Sequence, residues 1–309
     1  LLRQGDRWLV FLQGHGEPSP FGDANHDFSQ LATRLASNGF RIETLNLMQS
    51  GDIPDNTSVL VLASPRVELL PGEIERLQDF IEAGGNLLWL ADPQQFTGGL
   101  ALIADQIGVS FLPGIVVDPG SRLMGLDRID FALVGEYPRH PVTLNLASMS
   151  LFPQALAIDF FGDDSWQQQV FLQSAPRSWN ETGDMRKALA RGDNADEVSG
   201  PFTLGMTLAR SLQSDAGKLQ EQRIAVVGDA DFLSNRYLGN GSNQDIGLNL
   251  LNWLSHDDQL IAISPRPAPD TQLDLSPLQQ LLIAITFLLL LPLGLIACGL
   301  LIWLKRRKR

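Results

Sequence analysis

Apolar residues along the first hundred positions recur with two alternating periods. "RWLVFLQG" is a continuous apolar run of strand length. In "DFSQLATRLASNG" the apolar positions Phe28, Leu31 and Leu35 fall on one helical face and stop at Gly39. "FRIETLNL" and "SVLVLASP" return to strand length, and "LPGEIERLQDFIEAGG" puts Ile74, Leu77, Phe80 and Ile81 on one face. "NLLWLADP" predicts another strand, and "GLALIADQIG" another helix. Strands that are apolar on both faces and separated by helices predict a parallel sheet covered on both sides.

Right-handed crossovers then make the arrangement α/β and doubly wound, mostly parallel and flavodoxin-like. The stretch from about Val109 to Thr207 is less regular. There "VTLNLASMSLF", "QALAIDFFG", "QQQVFLQSA" and "PFTLGMTLARSL" predict strands, and "RSWNETGDMRKALARGDNADEVSGP" a mobile polar loop. "QRIAVVGDADFLSN" is a buried strand running into a polar turn. "QDIGLNLLNWLSHDD" follows as a helix with Ile246, Leu250, Leu251 and Leu254 inward. Both are expected to return to the first sheet, giving one α/β domain over 1–262.

"ISPRPAPDTQLDLSP" has four prolines and no apolar period, so 263–280 reads as a semi-rigid stalk. Leu281 to Leu304 is a run of about 24 residues without a charge. At roughly 1.5 Å per residue it is long enough for the ~30 Å hydrocarbon layer, and predicts a transmembrane helix with Trp303 at the interface. The basic tail 305–309, "KRRKR", is expected to stay cytoplasmic, which places the body on the far side of the bilayer, the periplasm of a bacterium. The sequence begins at Leu1 rather than Met, which is compatible with an upstream segment.

Charge sharpens this division. The formal net charge is −12, yet five of the 23 basic residues are the last five positions and no acid lies beyond Asp274. The body is therefore strongly acidic, which argues against binding nucleic acid. The single cysteine, Cys298, excludes an internal disulfide and a cysteine-based metal cluster.

Candidate chemistry is thin. Ser64 in "VLVLASPRVE" sits where a nucleophile would, but Pro65 lacks the N–H that an oxyanion hole would use. His15, His26, His140 and His256 form no ligand-spaced pair, and no phosphate-binding glycine motif follows a strand, so no metal, cofactor or catalytic residue is expected. Asp229 and Asp231 share one face of an extended segment. With Asn235 or Asp245 they could take a hard cation, but capping of the next turn is the favoured reading. At "GHGE", Gly14 and Gly16 allow a sharp turn at the carboxyl end of the first strand, where α/β sheets bind ligands. His15 and Glu17 are expected to project there as a base, a sugar or peptide contact, or a structural hydrogen bond. With no nucleophile or second acid in view, structure or ligand contact is favoured over catalysis.

"FLQGHGEP", "VLVLASPRVELLPGEIERLQDFIEAGGNLLWLADP", "VVGDADFLSN" and "NQDIGLNLLNWL", followed by a C-terminal apolar span, resemble the GldG-like family of ABC-transporter auxiliary proteins. The resemblance implies a class I glutamine-amidotransferase-like fold without its catalytic cysteine. It also implies partnership with an ABC permease and a cytoplasmic ATPase, beside the lipid bilayer. The family's recurrent positions fall on Gly14, His15, Gly16 and Glu17, on Asp92 and Pro93, on Gly228, Asp229, Asp231 and Asn235, and on Asp245 and Asn249. The family usually carries a membrane helix and further sequence before the "GHGE" strand. The expected function is thus a membrane-anchored, non-enzymatic auxiliary subunit that binds a substrate or partner. The alternatives are an anchored hydrolase or amidotransferase using His15 and Glu17, and a periplasmic receptor for carbohydrate or peptidoglycan.

Overall fold

A computed structural model describes residues 7–93, 99–124, 129–183, 191–192, 196–213, 219–257 and 285–294, with 299, 303 and 307. In chain order the elements are β1 (Arg7–Leu12), α1 (Ser29–Ser37), β2 (Phe40–Leu45), α2 (Leu47–Ser50), β3 (Thr57–Ala63), α3 (Pro71–Glu82), β4 (Leu87–Leu90) and α4 (Gly99–Ile107). Then follow β5 (Val109–Phe111), β6 (Ile115–Val117), β7 (Phe131–Val134), β8 (Ser150–Pro153), β9 (Ile158–Phe160), β10 (Gln167–Gln173), β11 (Trp179–Glu181), β12 (Thr203–Gln213), β13 (Leu219–Val227) and α5 (Asn243–Leu254). By internal contacts the chain divides into Leu1–Ile263 and Ser264–Arg309.

A seven-stranded sheet runs β10-β12-β13-β4-β3-β1-β2. β13, β4, β3, β1 and β2 run parallel to one another, while β12 and β10 add an antiparallel edge beside β13. The fold is mixed α/β around a mostly parallel sheet. One face buries Leu9, Phe11, Val59 and Leu88 under α1 and α5, through Leu31, Leu35, Ile246 and Leu250. The other buries Val10, Leu60 and Trp89 under α3 and α4, through Ile74, Leu77, Ile81 and Ile103. This two-sided burial is why β1, β3 and β4 are almost unbroken apolar runs. β2 closes one edge with exposed Arg41, Glu43 and Thr44, polar groups that discourage further strand pairing.

The late strand and helix return to the first sheet as expected: β13 pairs with β4, and α5 buries Ile246, Leu250, Leu251 and Leu254. The middle differs in detail. Three short antiparallel pairs, β5 with β9, β6 with β11 and β7 with β8, form separate two-stranded sheets. Most of "VTLNLASMSLF" is not strand. Pro141–Thr143 forms a 3₁₀ turn because the His140 ring nitrogen Nδ1 accepts the Val142 N–H at 3.1 Å, leaving only Ser150–Pro153 as β8. In the predicted surface loop, Trp179, Asn180 and Glu181 are instead buried in β11, where Trp179 packs with Ile115, Val117 and Ile129. The loop residues 184–190 and 193–195 lie outside the described residues.

In the C-terminal unit the structure describes a π-helical turn, Thr286–Leu290, continued by helix over 291–294, with exposed side chains at Ile285, Phe287 and Leu291. No helix among the described residues is long and apolar enough to cross a membrane. The stalk 263–280 lies outside the described residues, as do half of the expected span 281–304 and most of the tail 305–309.

Candidate functional site

The strand order sets the carboxyl ends of β13, β4, β3 and β1 side by side, and each is followed at once by a polar turn. Such an edge is where open α/β sheets bind ligands. Beyond β13 the chain needs glycine. Gly228 donates its N–H to the Leu204 carbonyl and accepts from the Leu156 N–H at 2.6 Å, and a Cβ there would sit 2.2 Å from the Leu156 oxygen. Gly14 and Gly16, after β1, hold φ of 128° and 82°, angles that side chains resist.

The "GHGE" turn is a latch. The Glu17 carboxylate accepts the His15 backbone N–H at 2.7 Å, and His15 Nε2 lies 3.0 Å from Glu73 Oε2. Glu73 also accepts the Leu70 N–H at 2.9 Å, which caps the start of α3, with Pro71 as its first residue. The His15 carbonyl accepts N–H groups from Arg66 and Val67, so the turns after β1 and β3 are joined. His15, Glu17 and Glu73 are all buried. Of the roles open to His15 and Glu17, this geometry matches the structural hydrogen bond. Glu73 reads in the sequence as an ordinary first-turn acid. Its signal was the spacing from Leu70, three residues ahead of an apolar face.

Beside the latch lies a crevice of carboxylates. Ser64, at the end of β3, holds φ of 48° and donates its hydroxyl to Asp92 Oδ2 at 2.8 Å. Burial raises the Asp92 pKa. The Ser64 hydrogen bond opposes this, the Asp231 charge adds to it, and the Arg66 guanidinium opposes it. Asp229 is 1% exposed. Its carboxyl is raised well above the usual range by burial, then by the charges of Asp231 and Asp92, against the backbone N–H bonds of Asp231 and Phe232. The Asp231 N–H reaches Oδ1 at 2.8 Å, while Oδ2 has no hydrogen-bond partner. Asp231 is raised by burial, with Arg66, His26 and Arg236 pulling the other way. Asp92 and Asp231 are half-buried, and Arg66 is exposed. A cleft of about 330 Å³ opens next to Asp92, lined by Pro93, Phe111, Leu156, Glu181 and Thr182.

Thus the structure brings Asp92, Asp229 and Asp231 together and adds Ser64 and Arg66, which sequence reasoning did not place there. Asn235 does other work. Its Oδ1 accepts the Gln30 N–H at 2.9 Å at the start of α1, and its Nδ2 donates to the Ala24 carbonyl. Asp245 lies in the first turn of α5, where its charge acts on Tyr137, and Asn249 donates to the Val142 carbonyl at 2.9 Å. Among the described residues, no three or more His, Cys, Asp or Glu side chains are placed to hold a metal ion.

Residues 7–255 match the family described as "ABC-type uncharacterized transport system". Nothing among curated proteins matches. Among solved structures, the chain is similar to one described as "mmIFT52 N-terminal domain", at 16% identity and a TM-score of 0.55, covering 80% of this chain and 97% of that one. It is also similar to a putative ThuA-like protein from Bacteroides uniformis, at 14% identity and a TM-score of 0.41, covering 82% and 94% of the two chains. A glutamine amidotransferase from Thermotoga maritima gives 9% identity and a TM-score of 0.40, with 84% and 94% covered.

Proposed function

We propose, starting from the fact that this chain belongs to the ABC-type uncharacterized transport system family and is an auxiliary component of such a system, that its crevice of carboxylates is a binding site and that it works without catalysing a reaction. In this reading the α/β body is periplasmic and is held to the inner membrane by Leu281–Leu304, with Lys305–Arg309 on the cytoplasmic side. Its partners are an ABC permease and a cytoplasmic ATPase.

The observation that carries the binding role is the convergence of Asp92, Asp229 and Asp231 at the adjoining ends of β4 and β13. Three carboxylates whose burial favours the neutral form oppose folding at neutral pH. Groups that cost stability while gathered at the ligand-binding edge of a sheet are characteristic of functional sites. Against catalysis stand Pro65, which supplies no N–H after Ser64, and the commitment of His15 and Glu17 to the latch.

The test is to solubilise native membranes in mild detergent and purify the full chain. A permease and an ATPase should co-purify with it, and recovery of the chain alone would overturn the transport reading.

A further inference from the structure

We infer that the ligand of this crevice carries a primary ammonium group, seated on Asp229 between Asp92 and Asp231. The inference rests on the crevice being a binding site and names the chemistry of what it takes.

Capping explains only half of Asp229. Its Oδ1 accepts the backbone N–H of Asp231, and an asparagine would do the same without a charge. Oδ2 is buried and has no hydrogen-bond partner, a state that costs free energy unless something else satisfies it. Its electrostatic surroundings are Asp231 and Asp92, both negative when ionised, and what favours its charged form comes from backbone N–H groups. The basic groups nearby, Arg66, His26 and Arg236, act on Asp231, and Arg66 acts on Asp92 as well. The missing element at Asp229 is a positive charge that also donates hydrogen bonds.

An ammonium group supplies both, with three donors on a compact charge. A divalent cation fits less well. It needs several oxygens converging at about 2.0–2.6 Å, and no three acidic, His or Cys side chains among the described residues are so placed. Ammonium hydrogen bonds of about 2.8 Å tolerate a wider set of acceptors. Ser64 fixes Asp92 by donating to Oδ2, holding one wall of the seat. Pro93, the chain neighbour of Asp92, lines a cleft of about 330 Å³. Seating a cation favours the ionised form of Asp229, so binding releases a proton to solvent.

The test is calorimetric titration of the full chain in detergent with glucosamine and ethanolamine, each against its N-acetyl counterpart. The amines should bind and raise Tm, and the acetylated forms should do neither. Repeating the titration in buffers of different ionisation enthalpy should show proton release. Asp229→Asn should weaken amine binding at least tenfold, and Asp231→Asn should do so if Asp229→Asn lowers Tm. Equal binding of the N-acetyl forms would overturn the inference, as would no binding of either amine, or displacement of the amine by Mg²⁺ or Ca²⁺. Absent amine binding while permease and ATPase still co-purify overturns the ammonium site and leaves the transport reading standing. Amine binding by a chain that co-purifies alone supports the site and overturns the transport reading.

Discussion

Ser64 donates its hydroxyl to Asp92 at 2.8 Å across the adjoining ends of β3 and β4, from a backbone held at φ of 48°. A side chain in that region carries backbone strain of about 1 kcal/mol, which the surrounding structure must enforce. Removing the hydroxyl with Ser64→Ala leaves the strain and deletes the bond. The expected cost is about 1 kcal/mol of unfolding free energy in a denaturant titration. The Asp92 carboxyl should also titrate at higher pH than in the wild type, because the Ser64 bond is the larger of the two interactions, with Arg66, that oppose burial there. Carboxyl NMR shifts of Asp92 read this directly.

The latch makes a different prediction. His15 joins the turn after β1 to Glu73 at the start of α3, and all three latch side chains are buried. Either His15→Ala or Glu73→Ala should cost about 2–3 kcal/mol, since each leaves buried polar partners unsatisfied. The double variant should cost less than the sum of the two, as expected for residues in one network. Additive losses in a double-mutant cycle would show that the two do not interact.

His140 governs the acid limb of stability. It is buried between Phe171 and Trp253, with Nε2 2.9 Å from the Thr207 hydroxyl, and burial and the Arg223 charge lower its pKa from 6.5 to about 4. The unfolded chain therefore binds a proton that the folded chain refuses between those values. Its contribution is present in full above pH 6.5 and is lost as pH falls toward 4, on the order of 3 kcal/mol in all. In His140→Gln the slope of stability against pH in that window should flatten. An unchanged slope would assign the acid limb to other groups.

Asp229 works in the opposite sense. A carboxyl whose folded pKa is raised contributes stability below its unfolded value of about 3.8, and that contribution is lost as pH rises through the folded value. Asp229→Asn keeps the capping oxygen for the Asp231 N–H and removes the buried charge. At pH 7 the variant should melt higher than the wild type, by roughly a few degrees. The difference should shrink as pH falls toward 4. Calorimetric scans at pH 4, 5.5 and 7 check both the sign and the trend.

How much of this was legible in the sequence depended on burial. β1, β3 and β4 show as apolar runs because both their faces are covered, and α1, α3 and α5 show as apolar stripes because one face is. Of the short pairs in the middle, β8 and β9 fall in runs that read as strands, while β5, β6, β7 and β11 left no such mark. Val109 pairs with Phe160 and Ile115 with Glu181, in strands of three residues, too few to establish a period. At the site, the individual turns could be read, because glycines and acids follow the strands. Their convergence could not, because it depends on β13 entering the sheet beside β4 rather than at an edge. Asn235 read as a possible ligand because a polar residue after a strand looks the same whether it faces a crevice or caps a distant helix. Here it caps α1, more than 200 residues earlier in the chain.

The binding role of the strand-end crevice is tested most directly by hydrogen–deuterium exchange on the full chain, comparing the assembly purified from native membranes with the chain stripped of everything bound to it. Slower exchange in the assembly should centre on the turns at 13–17, 64–67, 91–93 and 228–236. Unchanged exchange in all four turns, with protection confined to other surfaces, would contradict it.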